Sequence, residues 1–236
     1  MVKGIYTAGR GLDYRIKNID VIANNLANLN TTGYKREVPF SEVLNQFGDY
    51  SVKKITSQQQ GDIIQTSNPF DLAVSGEGFF AVKNKDGNVE LTRDGRFKLN
   101  DEGFLVDANQ NKVMGKQGEI SIEESVIEKD ATIKINRKGE IKVGERVIDT
   151  ILVVNVDDPN QIERAGGSNF IVGENGYNEV DEERYSISQG FLEESNINPI
   201  AEMESMISIN KEYETTQKVM NALDASLGQA NEMGKV

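Results

Sequence analysis

The sequence predicts an α+β fold in which N- and C-terminal coiled-coil helices flank an inserted antiparallel β-rich domain. Two observations carry that prediction. Apolar side chains recur every seven residues at both ends of the 236-residue chain, the repeat of a helix that packs along a seam. Between the ends the period falls to two, and glycine-containing turns separate short apolar runs, as in paired strands.

Taken in chain order, the first element is a helix over 1–36. Ile5, Leu12, Ile19 and Leu26 form one heptad row, and Ala8, Arg15, Ile22 and Leu29 form a second, with Arg15 as its polar break. Gly33 supplies a left-handed stop. Asn24, Asn25, Asn28 and Asn30 crowd the end of this helix, although asparagine is a poor helix former because its amide competes for the backbone. Each one alone is expected to face water. The cluster is read as contact, its amides donating and accepting across helix interfaces and fixing register.

Residues 37–66, with Pro39 and the polar "TSQQQGD", read as an extended connector with a short helix in "SEVLNQF". Residues 67–190 read as the β-rich domain. In "ATIKINRKGEIKVGERVIDTILVVNV", Ile133 and Ile135 share one face, the chain turns at Arg137-Lys138-Gly139, and Ile141 and Val143 return. Further turns stand at Asp86-Gly87, Asp94-Gly95 and Glu102-Gly103, beside "GFFAV", "RFKL" and "GFLV".

The last element, over 191–236, is again a helix. Asn198 and Pro199 read as an N-cap and first helical position, and Glu202 and Glu204 place negative charge at the positive helix end. Met206, Tyr213, Met220 and Leu227 form one heptad row; Ile209, Thr216, Leu223 and Ala230 form the other. A pair of core-facing amphipathic helices fits the same pattern. Residues 1–36 carry six basic side chains against two acidic ones, net +4, whereas 191–236 carry eight acidic against three basic, net -5. The two ends are therefore electrostatically complementary.

Composition removes several classes of function. The net charge of -12 argues against nucleic-acid binding, which needs a basic face. With no cysteine, histidine or tryptophan, the chain has no thiol chemistry, no usual zinc ligands and no histidine base. No apolar run is long enough to span a membrane, and the start "MVKGIYTAGRG" lacks the apolar core of a cleaved signal.

Candidate chemical motifs fail on context. "GEGFFA", from Gly76 to Ala81, fits the dinucleotide fingerprint in form, but a strand follows it where a helix is required, so its glycines read as a tight turn or bulge. "DANQN", from Asp107 to Asn111, lacks the glycine and glutamate of a calcium loop, and "VDDPN" and "EVDEERY" lack ligand spacing and read as solvated acidic faces. No carboxylate pair stands out among 38 acidic residues. No catalytic residue, metal or cofactor is expected.

Energetics point to termini that need partners. Gly4, Gly9 and Gly11 each cost about 1 kcal/mol relative to alanine inside a helix. Ordering the backbone costs on the order of 1–2 kcal/mol per residue, and a fully buried Leu or Ile returns only ~1.5–3 kcal/mol. The helices are therefore expected to be largely disordered in the monomer and to fold on assembly.

Four blocks, "ANNLANLNTTGYKR" (23–36), "SNPFDLAVSGEGFFAV" (67–82), "LTRDGRFKLNDEGFLVDANQNKVMG" (91–115) and "ESNINPIAEMESMISINKEYETTQKVMNALD" (194–224), resemble in order the signature blocks of flagellar rod and hook proteins. The resemblance implies an axial protein of the bacterial basal body in the periplasm. It would be exported by the flagellar type III apparatus without a cleaved signal, and would polymerise with itself and with neighbouring rod and hook subunits into a hollow drive shaft. The short chain favours a rod protein over the larger hook protein, and "NINPIAEM" leans towards the proximal rod type. The asparagine-rich block would then pack between subunits. The expected assembly residues are Ile5, Leu12, Ile19, Ile22, Asn24, Asn25, Leu26, Asn28, Leu29, Met206, Ile209, Tyr213, Met220, Leu223 and Leu227. The residues alone also fit a soluble β-domain binding module oligomerised by terminal coiled coils.

Overall fold

The computed structural model describes residues 2–39, 55–122, 133–156, 162–173 and 176–233; the side chains of residues 2, 5 and 230–232 are outside that description. The expected short helix in "SEVLNQF" and most of the acidic "VDDPN" also lie outside the described residues. Two helices, α1 (Val2–Ala27) and α2 (Pro199–Met233), flank a β-rich region. The chain divides into two compact units: Met1–Asn28, Glu37–Ile55 and Ile197–Val236 form the first, and Leu29–Arg36 and Thr56–Asn196 the second.

In the first unit the two helices run antiparallel. Gly4 lies against Leu223, Arg15 against Glu212 and Asn25 against Glu202. As the α1 number rises from 4 through 15 to 25, the α2 number falls in equal steps, so one register runs the length of the pair. α2 begins as its sequence requires: the Asn198 side-chain oxygen accepts from the backbone N–H of Ile200 at 3.1 Å and of Ala201 at 3.2 Å, satisfying two of the orphan donors of a helix start.

α1 stops earlier than the sequence predicts. It ends at Ala27, where the Asn28 side chain donates to the Asn24 carbonyl at 2.8 Å and its backbone N–H is shared between the carbonyls of Asn24 and Asn25. An asparagine amide thus competes successfully for the backbone. Gly33 is left-handed, with φ of 65°, but it serves a separate turn closed by Tyr34 N–H donating to Thr31 O.

The second unit centres on the strand Phe79–Lys83, which pairs antiparallel with Val89–Thr92, Lys112–Gly115 and Val153–Asn155 at different points along its length. Both of its faces are buried. Phe80 and Val82 join a core with Leu72, Val74, Phe97 and Ile141, whereas Phe79 and Ala81 join a second with Leu91, Ile162 and Phe170. A strand covered on both sides reads as an unbroken apolar run, which is why "GFFAV" does not alternate. Edge-to-face rings seal each side, Phe80 on Phe97 at 5.1 Å and Phe79 on Phe170 at 5.8 Å.

The expected hairpin holds in register: Ile133 faces Val143, Ile135 faces Ile141, and Gly139 turns with φ of 86°. Gly76 and Gly78 join two strands with positive φ, and a Cβ on Gly78 would stand 2.6 Å from Val153 Cγ1. Close packing explains those glycines. In "DANQN" the Asp107 carboxylate accepts from the backbone of Asn109 and Asn111, both at 2.8 Å, so it serves a turn. Two acids of "EVDEERY" are ion-paired: Glu179 and Glu182 meet Lys116, and Glu182 also meets Lys138.

Candidate assembly surface

In α2 the heptad rows map onto burial. From Met206 to Leu227 the half-buried residues are Met206, Ile209, Tyr213, Thr216, Met220, Leu223 and Leu227, and all the others are exposed. In α1, Leu12 and Ile22 are buried and Ile19 and Leu26 half-buried, and the side chain of Ile5 is outside the described residues; Leu29, also half-buried, lies beyond the end of α1 in the second unit. Within one chain, α1 and α2 pack against each other. Arg15, the polar break, donates to Gly11 O and forms an ion pair with Glu212 at 3.4 Å. That pair joins one base of the N-terminal end to one acid of the C-terminal end.

A second set of apolar residues stays open to solvent. Ile200, Met203 and Ile207 of α2 are 77%, 54% and 57% exposed, and their spacing of three and four sets them in one stripe. Tyr6 and Ile16 of α1 and Val219 of α2 are also exposed. The heptad reading overlooked this stripe because it follows only two rows.

The four asparagines have different fates. Asn25 is fully buried: its amide donates to the Glu37 carbonyl at 2.8 Å and to a Glu202 carboxylate oxygen at 3.3 Å, and its oxygen accepts from Glu37 N–H at 2.9 Å. Asn28 is half-buried and caps the helix end, while Asn24 and Asn30 are exposed.

In the second unit the block that follows α1 is fastened by charge. Glu193 accepts from Lys35 Nζ at 2.6 Å and from Gly61 N–H at 3.0 Å on one carboxylate oxygen, and from Arg93 Nη1 at 3.0 Å on the other. Lys35 also donates to Gln59 O, and Arg93 to the carbonyls of Val74 and Gly76. The side chains of Lys35 and Glu193 are 1% exposed. Burial pushes the Lys35 ammonium below its ordinary value of 10.5, with the Glu193 charge opposing and the Arg93 charge adding to the shift. Burial likewise lowers Arg93 against the pull of Glu193. Arg164 completes the fastening: its guanidinium stacks on Tyr34 at 4.2 Å and donates to Lys35 O at 2.7 Å.

Sequence reasoning missed this cluster. No local pattern links Lys35, Arg93 and Glu193, and Glu193 lies 158 and 100 positions from its two partners. Their places inside or beside the quoted signature blocks are the available signal. Among the described residues there is no cluster of three or more metal-ligating side chains, and no helix is long and apolar enough to cross a membrane.

Comparison with known proteins accords with these features. The family model "Flagella basal body rod protein" matches residues 5–35, "Flagellar hook protein FlgE/F/G D1 domain" matches 73–143, and "Flagellar basal body rod FlgEFG protein C-terminal" matches 188–233. The flagellar basal-body rod protein FlgF of Mesorhizobium japonicum is 30% identical over 222 residues, covering 91% of this chain and 90% of its own length. FlgG of Buchnera aphidicola subsp. Baizongia pistaciae is 32% identical over 272 residues, covering 96% and 98%. FlgF of Caulobacter vibrioides is 30% identical, with 93% of each chain covered. Similarity runs through both helices and the strands between them, and the chain belongs to the flagellar basal-body rod protein family.

Proposed function

We propose that this rod subunit polymerises through its terminal helices, as coiled coils, into the hollow axial shaft that links motor to hook, with the antiparallel β-rich domain of about 67–190 outside the tube. One observation carries the reading: from Met206 to Leu227, α2 buries none of its heptad residues fully, and Ile200, Met203 and Ile207 remain exposed beside them. A two-helix pair leaves this apolar surface in contact with water, and helices of neighbouring subunits would remove it. The partners are further copies of the chain and adjoining rod and hook subunits. Residues Leu12, Ile19, Ile22, Leu26, Met206, Ile209, Tyr213, Met220, Leu223 and Leu227 form the seam, and the second stripe meets the neighbour.

Under this reading the chain passes through the flagellar type III apparatus with its helices unfolded and works in the periplasmic part of the basal body. Similarity to FlgF relatives over most of the chain and "NINPIAEM" favour the proximal rod position. The test is assembly. Leu26→Asp or Leu223→Asp is expected to abolish polymerisation, seen by sedimentation and electron microscopy, while near-native circular dichroism persists in the β region. A variant that polymerises and restores motility in a rod-deficient strain would overturn the proposal.

A further inference from the structure

We propose that Asn25 is the positioning residue that sets the register of the α1–α2 pair, through a buried set of hydrogen bonds that closes at one alignment of the helices.

The seam itself discriminates poorly between alignments. Its α2 residues, Thr216 apart, are mutually similar apolar side chains at heptad spacing, half-buried from Met206 to Leu227, so sliding by one heptad largely exchanges Ile, Leu, Met and Tyr for one another. Gly4 and Gly11 of α1 offer no side chain to resist such a slide. Polar groups do resist it, because a buried group that loses its partner retains its desolvation penalty.

Asn25 is 0% and Glu202 1% exposed, and both are held at the observed register. A slide of one heptad would set Asn25 against Ile209 or Ser195 in place of Glu202. The amide has one orientation that satisfies its surroundings. Its NH2 faces two acceptors, Glu37 O and the Glu202 carboxylate, and its oxygen faces the Glu37 N–H; the flipped amide would set oxygen against oxygen and N–H against N–H. Glu37 ties the strand Glu37–Val38 to the same residue. Asn25 thereby joins three pieces of the first unit: α1, the returning chain and α2.

The chain has no cysteine, so engineered disulfides read register directly. An ideal Cβ on Gly4 would lie 3.7 Å from Leu223 Cδ1, and Gly4→Cys with Leu223→Cys reports the native register. Gly4→Cys with Thr216→Cys reports the slide of one heptad that sets Asn25 against Ser195, and Gly4→Cys with Ala230→Cys the slide that sets it against Ile209. The full-length chain is oxidised and the ratio of native to shifted intrachain bridges is measured from separate double-cysteine variants under identical conditions; a ratio is independent of the fraction of molecules paired. In the otherwise native chain the 4–223 bridge should dominate. Asn25→Leu should move the ratio about tenfold towards the shifted bridges, and Glu202→Leu, which leaves α1 untouched, should do the same. Asn25→Asp, which sets a carboxylate oxygen against both Glu202 and the Glu37 carbonyl, should shift it likewise. An unchanged ratio in Asn25→Leu and Glu202→Leu would overturn the proposal.

Discussion

Glu193 stands between two cations, Lys35 at 2.6 Å and Arg93 at 3.0 Å, and none of the three can reach bulk water to replace a lost partner. Glu193→Ala should therefore destabilise the second unit by about 3–5 kcal/mol, the usual cost of leaving buried charge uncompensated, read from the shift of a urea unfolding curve. Gly33 is held in the same block for a steric reason: a Cβ there would lie 2.2 Å from the Asp94 backbone nitrogen. A surface trio behaves differently. Lys112 first and Lys83 second hold the Glu119 carboxyl below its ordinary 4.5 by hydrogen bonding to it. Because the folded-state value is depressed, its stabilising effect is present above pH ~4.5 and is lost as pH falls through the folded-state value. Glu119→Gln should accordingly flatten the acid limb of stability against pH by at most ~1 kcal/mol, less in high salt.

Among the elements, α2 has the stronger start and α1 the more crowded end. Asn198→Ala removes the acceptor of two backbone donors and should cost ~0.5–2 kcal/mol of helix stability, visible as lower helical ellipticity and a lower Tm of the helical transition. The end of α1 depends on asparagine in two ways. Asn28 turns its amide onto the Asn24 carbonyl and stops the helix, whereas Asn25, three residues earlier, reaches across the first unit to Glu37 and Glu202. One residue type in one short block thus performs a local and a long-range task. The central strand Phe79–Lys83 shows the converse, since its consecutive apolar side chains do one job on two faces.

For the whole rod subunit, the fastening of Leu29–Arg36 to the second unit changes what proteolysis should leave. Limited digestion followed by mass spectrometry should trim α1 and α2 first and stop near Leu29 and Asn196, because Gly33 N–H donates to Glu193 O, Ser168 to Thr32 O, and Arg36 N–H to Asn196. Protection beginning only after about residue 67 would show that the Lys35–Glu193–Arg93 cluster does not hold in solution. Much of the architecture was legible in the sequence. The seven-residue rows of α2 become its half-buried positions, Asn198-Pro199 becomes the helix start, and the period-two runs become paired strands. Each is a local pattern, in which neighbours a few residues apart determine the outcome through helix or strand geometry. The early end of α1, the single asparagine among four that is buried, and the Lys35–Glu193–Arg93 cluster were not legible. They depend on which distant segments meet. A charged side chain looks the same in sequence whether it faces water or a partner 158 positions away; only the closed tertiary fold decides whether burial is offset by a counter-charge. Local patterning lays down the helices, the strands and the family's motifs, whereas contacts between distant segments select which polar residues lock them together.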